Sequence, residues 1–434
     1  MSATNATSSM LIHGGRLVDP SQGLDGRFDL RIENGTVAEI AERIEPKDDG
    51  TEAIDASGLI VCPGLIDIHV HLREPGFEYK ETVQTGTRAA AAGGFTAVAC
   101  MANTDPVHDN RSVTGHITSE AERWGYARVY PIGAISKGLL GQELAEIGEM
   151  VGAGAVAVSD DGKPVMNAEL MRRALLYAQH FGIPVIQHAE DLHLSGKGVM
   201  HEGEWSTRLG LEGIPGSAED VMVARDLILL DDTGGRYHVA HLSTARSLEL
   251  VRQAKKKGIP VTCEVTPHHL VLTDEEVAKS SFSTQTKMKP PLRSETDRKA
   301  MIEGLIDGTI DAIASDHAPH HADEKDVEYN CAPFGILGLE TTLPLCLTRL
   351  VHAGIIPLSR FIELLTIGPA RALNLPVGSL ALGRPADVTI FDPDREVTID
   401  PEAFRSKGRN TPFGGWKLKG AAVATVLGGR PVVV

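Results

Sequence analysis

The chain has 434 residues, of which 42% are hydrophobic and 23% charged, so it can form one large domain and a smaller companion with a sizeable core. Its formal net charge is −16, from 42 basic and 58 acidic residues. That balance argues against a nucleic-acid-binding protein, since such proteins usually carry a basic surface. The five cysteines are an odd number without CxxC spacing, which argues against a disulfide framework and a cysteine zinc site.

The first ten residues, MSATNATSSM, lack a basic segment followed by a long apolar one. They predict a short disordered lead and not a signal peptide. No apolar run approaches the roughly 18 residues that a membrane-spanning helix requires. The sequence therefore predicts a cytoplasmic protein without a membrane partner.

Both ends of the chain have the pattern of β-structure. Residues 11–60 contain short strand-like runs separated by turns, and Asn34-Gly35 between two alternating segments predicts a hairpin. Residues 373–434 contain similar runs, ADVTIFD, EVTI and AAVATVLGGRPVVV. Because neither end is large enough to be stable alone, we predict that residues 1–60 and 373–434 form one small β-sandwich. Residues 61–372 would then form the main domain.

The middle of the chain alternates short β-branched runs with helical periodicity. Asn167 is the predicted N-cap of a helix over Ala168–Phe181, and Ser243 or Thr244 that of a helix over Ala245–Lys257. Eight β/α units in about 300 residues predict an α/β fold of the (β/α)8 TIM-barrel type. A doubly wound open sheet is the alternative, although no GxGxxG follows the first strands. The eight strand candidates are Leu65–His69, Thr96–Met101, Arg128–Ile132, Ala155–Val158, Pro184–Gln187, Tyr237–Ala240, Pro260–Val265 and Asp311–Ala314.

Polar residues gather where the predicted strands end, which is the catalytic face of a TIM barrel. The first and eighth candidates lead into HVHLR and SDHAPH, the fourth into SDDG, and the fifth and sixth into His188 and His241. His69 and His71 lie two residues apart, so both imidazoles project from one strand face and suit a zinc-like divalent ion. Any one histidine alone is more simply interpreted as a surface or hydrogen-bonded side chain. Four histidines and two aspartates at the ends of five strands favour a metal centre.

The segments that carry these residues resemble dihydroorotases of the single-domain bacterial type, within the amidohydrolase superfamily. The resemblance rests on PGLIDIHVHLREPG, MANTDP, SDDG, HAED, HLST, PPLR, SDHAPH and APFGILGLE, in this order, from about residue 10 to the C-terminus. It implies the same barrel with a flanking β-sandwich. It also implies Zn²⁺, one or two ions per subunit with two favoured. His69, His71 and Asp316 would hold one ion, and His188 and His241 the second.

The resemblance also bears on the group that bridges the two metals. Many relatives use a carboxylated lysine from the fourth strand, but this chain has VAVSDDG there. In the similar dihydroorotases an aspartate takes that place, which corresponds to Asp161, with Asp160 as the competing candidate. Lys163, two residues later, is the remaining alternative.

A carboxylate-binding group is predicted beside the metal centre. Arg73 lies two residues beyond His71 on the same strand face, where its guanidinium can bind a carboxylate bidentately, although a surface salt bridge is the alternative. The resemblance implies that Arg73, Asn103 and His320 together hold the substrate carboxylate. It further implies that ring amides contact backbone groups of Pro333, Phe334 and Gly335.

Two positions depart from the family pattern. MANT stands where MPNT is usual, so Ala102 replaces a proline. KPPLR stands where NPPLR is usual, so Lys289 replaces a substrate-facing asparagine and either supplies a cation near the carboxylate or points to solvent. The adjacent pair His268-His269 is interpreted as structural, or as supporting the ligands without binding metal itself.

The activity that the resemblance implies is the reversible cyclisation of N-carbamoyl-L-aspartate to L-dihydroorotate and water, in de novo pyrimidine biosynthesis. In the hydrolytic direction a metal-bound hydroxide would attack the ring amide carbon, with Asp316 as general base and then general acid. An allantoinase or hydantoinase is one alternative, which the missing lysine and the presence of Arg73 disfavour. An inactive scaffold for aspartate transcarbamoylase is another, which the complete ligand set disfavours. We expect a homo-oligomer that acts on a small-molecule substrate, with aspartate transcarbamoylase as a candidate partner.

Overall fold

The computed structural model of the protein describes residues 9–46 and 51–433. Residues 1–8, most of the predicted disordered lead, lie outside this range. Within it, no helix has both the length and the apolar character needed to cross a membrane.

Strands dominate the two ends of the described chain, and strands alternate with helices between them. The strands are β1 (Ser9–His13), β2 (Arg16–Asp19), β3 (Leu24–Arg27), β4 (Asp29–Glu33), β5 (Thr36–Ala41), β6 (Glu52–Asp55), β7 (Ile60–Pro63), β8 (Leu65–Val70), β9 (Phe95–Cys100), β10 (Arg128–Gly133), β11 (Ala157–Ser159), β12 (Val185–Gln187), β13 (Met200–His201), β14 (Gly213–Ile214), β15 (Tyr237–Val239), β16 (Val261–Val265), β17 (Ala312–Ile313), β18 (Val388–Thr398), β19 (Lys417–Leu427) and β20 (Arg430–Pro431). The helices are α1 (Val83–Ala92), α2 (Arg111–Trp124), α3 (Ile147–Gly152), α4 (Ala168–Gln179), α5 (Leu192–Ser195), α6 (Glu204–Leu209), α7 (Ser217–Thr233), α8 (Ala245–Lys256), α9 (Pro267–Val271), α10 (Glu275–Lys279), α11 (Glu295–Ile306), α12 (Ala322–Lys325), α13 (Thr342–Cys346), α14 (Leu358–Leu365) and α15 (Ile367–Leu373).

The two chain ends build the flanking β-structure together, as predicted. One sheet has the order β5-β4-β1-β6, and the other has the order β20-β19-β18-β7-β2-β3. The second sheet joins the two ends through the antiparallel pair β7 and β18. Asn34 and Gly35 both have positive φ, 52° and 77°, which is the type I′ geometry of the predicted hairpin between β4 and β5.

The barrel is a parallel sheet in the order β8-β9-β10-β11-β12-β15-β16-β17. A parallel bridge joins Val70, at the end of β8, to His317 in the segment that follows β17, and so brings the two edges of the sheet together into a nearly closed barrel. All eight predicted strands are present, which confirms the (β/α)8 fold and excludes the open sheet. The strands are buried apart from Thr262 and the first half of β10, because the barrel interior covers one face and the helices cover the other.

Side-chain caps fix where two of the predicted helices begin. The Asn167 Oδ1 accepts hydrogen bonds from the backbone N–H groups of Glu169 and Leu170 at the start of α4. This helix ends at Gln179, two residues earlier than predicted. At α8 the cap is Thr244, because the Ser243 hydroxyl is instead bound to a buried glutamate, Glu219.

Candidate active site

The six predicted metal ligands come together at one end of the barrel. They follow five strands, with His69 and His71 at β8, Asp161 after β11, His188 after β12, His241 after β15 and Asp316 after β17. All six side chains are buried. The carboxyl ends of parallel barrel strands face the same way, so residues far apart in sequence converge there.

Asp161 lies at the centre of this group. Its Oδ1 is 3.5 Å from the His69 Nε2 and 3.6 Å from both the His188 Nδ1 and the His241 Nε2. Its Oδ2 is 3.5 Å from the His71 Nε2. Two ligand atoms at tetrahedral angles around a zinc ion with bonds of about 2.0–2.1 Å lie roughly 3.3 Å apart. The spacing around Asp161 therefore fits ligands that share an ion.

Two of these ligand atoms have no hydrogen-bond partner among the described residues. The His69 Nε2 and the Asp161 Oδ1 are buried and unpaired within the described part of the chain. Burying such atoms without a partner costs free energy, which a coordinated cation would offset. Three overlapping groups of ligand atoms close enough to hold an ion are His69–His71–Asp161, Asp161–His188–His241 and His69–His241–Asp316. The donor set fits one or two divalent ions of the zinc type.

The far nitrogen of three histidines is held by an acceptor. The His69 Nδ1–H donates to the Glu264 Oε1 at 2.6 Å. The His188 Nε2–H donates to the Glu190 Oε2 at 2.9 Å, and the His71 Nδ1–H donates to the Asn103 Oδ1 at 2.9 Å. This arrangement fixes the tautomer of each ring and turns the other nitrogen toward the ligand cluster, where a metal could bind it. There the His188 Nδ1 lies 2.8 Å from the His241 Nε2, and the His71 Nε2 lies 3.0 Å from the Asp316 Oδ1.

Carboxylates and imidazoles in the centre shift each other's pKa values. Burial opposes ionisation of Asp161, yet the neighbouring histidines outweigh it and hold the pKa of this carboxyl well below its ordinary value. At His69, burial opposes the charged form, but Asp316, Glu264 and Asp161 raise the pKa of the imidazole. Burial also works against the Glu190 carboxylate, but His188 lowers its pKa to about 2. Ionised carboxylates around four imidazoles make this a favourable site for a cation.

The structure separates the three candidates for the bridging group. Asp160 faces away from the histidines and accepts hydrogen bonds from the backbone N–H groups of Ile135 and Ser136 at 2.8 and 2.9 Å. Lys163 is exposed. Only Asp161 among these three contacts the histidines, which supports the prediction that it is the bridge.

Three predicted site residues have a strained backbone. Arg73, His241 and Asp316 have φ values of 62°, 33° and 47°, in the left-handed region that side chains other than glycine rarely adopt. Each such residue costs of the order of 1–3 kcal/mol and persists where the surrounding structure holds it. Strain collected at the strand ends is typical of a functional site.

A cavity of about 340 Å³ opens onto the metal-ligand cluster, a volume suited to a small ligand. The Arg73 side chain lines it, and its Nε donates to the Pro319 carbonyl at 3.3 Å. No carboxylate in residues 9–46 or 51–433 forms an ion pair with this guanidinium, so the alternative of a surface salt bridge is wrong. The other lining residues include Asn103, Lys289, His320, Pro333 and Phe334.

Comparison with known proteins places the chain in a family. A model of dihydro-orotase-like proteins matches residues 58–247, and one of the amidohydrolase family matches residues 353–433. The dihydroorotase of Anaeromyxobacter sp. (strain K) is 58% identical over 424 residues, which cover 98% of this chain and 97% of that protein. That of Syntrophotalea carbinolica is 56% identical over 421 residues, 97% of this chain and 98% of the relative. The chain belongs to the dihydroorotase family.

Solved structures of other cyclic-amide hydrolases share this family member's fold. The L-hydantoinase (dihydropyrimidinase) from Arthrobacter aurescens has a TM-score of 0.87 at 26% identity, over 98% of this chain and 97% of its own. The dihydropyrimidinase from Brevibacillus agri NCHU1002 has a TM-score of 0.84 at 24% identity, over 98% and 95% of the two chains. The second likeness concerns the fold alone.

The predicted substrate residues around the cavity differ in which of their polar atoms are already hydrogen-bonded within the protein. The Asn103 Oδ1 accepts a hydrogen bond from the His71 Nδ1–H, which leaves the Asn103 Nδ2 as a donor. In His320, the Nε2–H donates to the Phe334 carbonyl at 2.9 Å, and the Nδ1 lies 3.4 Å from the Lys80 Nζ. Burial and then the charges of Arg73, Lys80 and Lys325 lower the pKa of His320 to about 3, so its ring is neutral at pH 7.

The backbone groups predicted to contact the ring also differ in whether the fold already uses them. The Gly335 N–H donates to the Lys287 carbonyl at 2.9 Å, so the fold already uses it. The Pro333 carbonyl accepts from the Lys325 Nζ at 2.8 Å. Within the described chain the backbone N–H of Phe334 has no hydrogen-bond partner. It is therefore the backbone donor in this segment that remains available to a ligand.

Lys289 and the histidine pair lie near the centre. The Lys289 Nζ forms an ion pair with the Glu190 Oε1 at 2.9 Å and lies 5.2 Å from the centre of the Phe334 ring. It therefore does not simply point to solvent. His269 is bound to Thr266 and to the Pro290 carbonyl, as a structural residue would be, and His268 is buried beside it.

Glu264 and Glu190 are site residues that the sequence analysis did not identify. Glu264 lies inside the buried strand β16, where a charged residue in an apolar run signals a paired role. Glu190 lies two residues beyond His188 in the HAED segment, a spacing that places both on one side of an extended chain. Both signals are present in the sequence.

Proposed function

We propose that the protein is a metal-dependent dihydroorotase that interconverts L-dihydroorotate and N-carbamoyl-L-aspartate. The observation that carries this proposal is the guanidinium of Arg73, which lines the same cavity as the metal-ligand cluster and forms no ion pair with a carboxylate of the described residues. The cluster supports hydrolysis of an amide, and the guanidinium supports a substrate that carries a carboxylate. Dihydroorotate combines both groups on one small ring.

The metal site that we propose contains two zinc ions. His69, His71 and Asp316 would hold one ion, His188 and His241 the other, and Asp161 would bridge them. When bound, such ions make hydroxide available from water near neutral pH and polarise a carbonyl. Glu264, Asn103 and Glu190 orient the histidine rings for this purpose.

Asp316 is the proposed proton carrier. In hydrolysis, water adds to the ring amide carbon, the bond from that carbon to the ring nitrogen breaks, and a carboxylate forms. Asp316 accepts one proton of the attacking water and returns it to the leaving nitrogen, and the other proton of the water is released to solvent as the new carboxyl group ionises. Its carboxylate is suited to this because burial, which would keep it protonated, is outweighed by His69 and His71, so that its pKa is lowered. Ring closure is the reverse sequence.

Substrate binding involves three donors in this proposal. Arg73 binds the carboxylate, the Asn103 Nδ2 supports it, and the Phe334 N–H binds the ring. His320, neutral and bound to the Phe334 carbonyl, shapes the cavity and contacts the carboxylate only after releasing one of its present partners. A hydantoinase or allantoinase would have no carboxylate for Arg73, and strand β11 lacks the lysine that such enzymes generally use.

Replacement of Arg73 by methionine tests the proposal. A charged bidentate contact in a partly buried site contributes about 1.5–3 kcal/mol, so R73M should lower kcat/KM for dihydroorotate by roughly ten- to a hundred-fold. Zinc content should stay at the wild-type level, because Arg73 is not a ligand.

Dihydrouracil, the same ring without the carboxylate, is the control. Dihydrouracil should inhibit the turnover of dihydroorotate equally weakly in the wild type and in R73M, because it has no carboxylate for Arg73 to bind. If wild-type protein fails to turn over dihydroorotate, or if R73M retains full kcat/KM, the proposed function is wrong.

A further inference from the structure

Asn410 connects the β-domain to the mouth of the barrel. It lies between β18 and β19, far along the chain from the barrel loops that it touches, and only 2% of it is exposed. Its Oδ1 accepts from the His320 N–H at 3.0 Å. Its Nδ2 donates to the Ala318 and Gly335 carbonyls at 2.9 and 3.1 Å. The amide thus uses its acceptor and both donor hydrogens at once.

The two loops that Asn410 joins carry lining residues of the substrate cavity. Ala318 and His320 lie on the loop after β17, and Phe334 directly precedes Gly335 on the next. The Leu337 N–H donates to the Asn410 carbonyl at 2.9 Å, which adds a backbone bond to the same loop. A shift of Asn410 would therefore move both loops.

The contact between these loops is tight. Gly335 has a φ of 154°, and a Cβ atom there would lie 2.7 Å from the Ala318 carbonyl oxygen. On the other side, the Lys325 Nζ holds the Pro333 carbonyl and the Lys287 Nζ holds the Tyr329 carbonyl, each at 2.8 Å. With these bonds in place, the Phe334 N–H stays free for a ligand.

We propose that Asn410 is a positioning residue for the substrate, acting through His320 and the Phe334 backbone. This inference rests on the proposed function, since it concerns the binding of dihydroorotate. The cavity wall contacts substrate in the ground state and in the transition state alike. Loss of its alignment should therefore raise KM more than it lowers kcat.

The variant N410D tests this role. Aspartate keeps the acceptor for the His320 N–H but places an oxygen against the Ala318 and Gly335 carbonyls, where a donor is needed. We expect KM for dihydroorotate to rise by roughly ten- to a hundred-fold, with kcat reduced by less than KM is raised. Zinc content should match the wild type, because no metal ligand is touched.

The control is T411V, on the next residue. The Thr411 hydroxyl is buried and accepts only a local bond from the Phe413 N–H at 3.3 Å. T411V should lower the melting temperature and leave KM unchanged. If N410D does not fold, N410S, which keeps a smaller donor and acceptor, should show the same rise in KM to a lesser degree.

The outcomes distinguish the two proposals. Absence of turnover in the wild type would refute the proposed function. With an active wild type, a folded N410D or N410S whose KM is within twofold of wild type would overturn the role of Asn410. So would an equal rise of KM in T411V, because it would show that any loss of packing in this segment has that effect.

Discussion

The cavity has a metal wall, made of His71, Asp161, His188, His241 and Asp316 together with His69, which is buried against Asp161. It also has a substrate wall, made of Arg73, His320, Pro333 and Phe334. The metal wall stands on the ends of barrel strands. The substrate wall lies on the loops beyond those strands. Hydrogen bonds from Asn410, which is remote in sequence, and from the buried lysines Lys287 and Lys325 hold the loops that carry His320, Pro333 and Phe334. One wall depends on the sheet, and the other on contacts between loops.

This difference matches what each wall has to do. Metal ligands must be held to within about half an ångström, which strands joined by backbone ladders achieve. Loops tolerate change in sequence and can be rebuilt around a new substrate while the barrel stays the same. The likeness of this fold to the L-hydantoinase (dihydropyrimidinase) from Arthrobacter aurescens, at 26% identity, is what such a division would produce. Substitutions in the two walls should therefore have different signatures.

Asp161→Ala should give the largest effect, because its carboxylate lies against all four histidines of the metal wall. We expect the loss of at least one zinc ion per chain and a fall in kcat of roughly a thousand-fold or more, since metal ions stabilise transition-state charge by several kcal/mol. Metal analysis by mass spectrometry and turnover of dihydroorotate measure this. Lys163→Ala is the matched control and should change neither quantity. Full zinc content in D161A, or a carbamate on Lys163, would contradict the assignment.

Glu264→Gln should give an intermediate effect on the same wall. Glu264 accepts from the His69 Nδ1–H at 2.6 Å and from the His238 Nε2–H at 3.1 Å, and glutamine can satisfy only one of these donors. Partners of this kind typically contribute 10- to 100-fold in metal affinity or activity, and we expect a loss of that order in zinc affinity.

Competition with a chelator measures zinc affinity in E264Q, and KM for dihydroorotate should stay near wild type. Asp226→Asn is the control, since Asp226 is an equally buried carboxylate that binds the Tyr237 hydroxyl at 2.9 Å and touches no ligand. An equal loss of zinc in both variants would mean that any buried carboxylate supports the barrel in this way.

The metal wall could be predicted from the sequence because each ligand lies at, or within three residues of, the end of a recognisable strand. The fold then brings these ligands into one cluster, since the carboxyl ends of eight parallel strands lie on the same side of the barrel. The choice of Asp161 over Asp160 followed from resemblance, and alternation alone could not have made it. The structure supplies the reason, because the Asp160 carboxylate is already used by backbone N–H groups of the neighbouring loop.

The substrate wall was predicted less completely, for a physical reason. Whether the Gly335 amide is free depends on the register between its loop and Lys287, which no local pattern encodes. Asn410 is separated from the barrel loops by helices and a β-strand, so its bonds arise only when the β-domain docks. Glu264 carried a signal, but its partner on another strand depends on how the sheet is ordered.

Lys289→Asn should give the smallest effect, and it tests whether Lys289 contributes to the metal wall or to the substrate wall. Lys289 lies between the two walls. It forms an ion pair at 2.9 Å with Glu190, which in turn binds His188 of the metal wall, and its Nζ lies over the Phe334 ring of the substrate wall. A quarter of its side chain is exposed, so the ion pair is partly screened and contributes up to about 1 kcal/mol. Asparagine is also the residue that resembling sequences usually carry here.

We therefore expect K289N to change kcat/KM for dihydroorotate by no more than roughly fivefold, with full zinc content. Glu190 keeps its bond to His188 in this variant, which is why the metal wall should be unaffected. Glu190→Gln gives the comparison, because it weakens that bond directly and should lower zinc affinity. If K289N instead raised KM as strongly as R73M, Lys289 would be a second cation for the substrate carboxylate and would belong to the substrate wall. If it lost zinc, its charge would be supporting Glu190, and the metal wall would extend to residues on a loop.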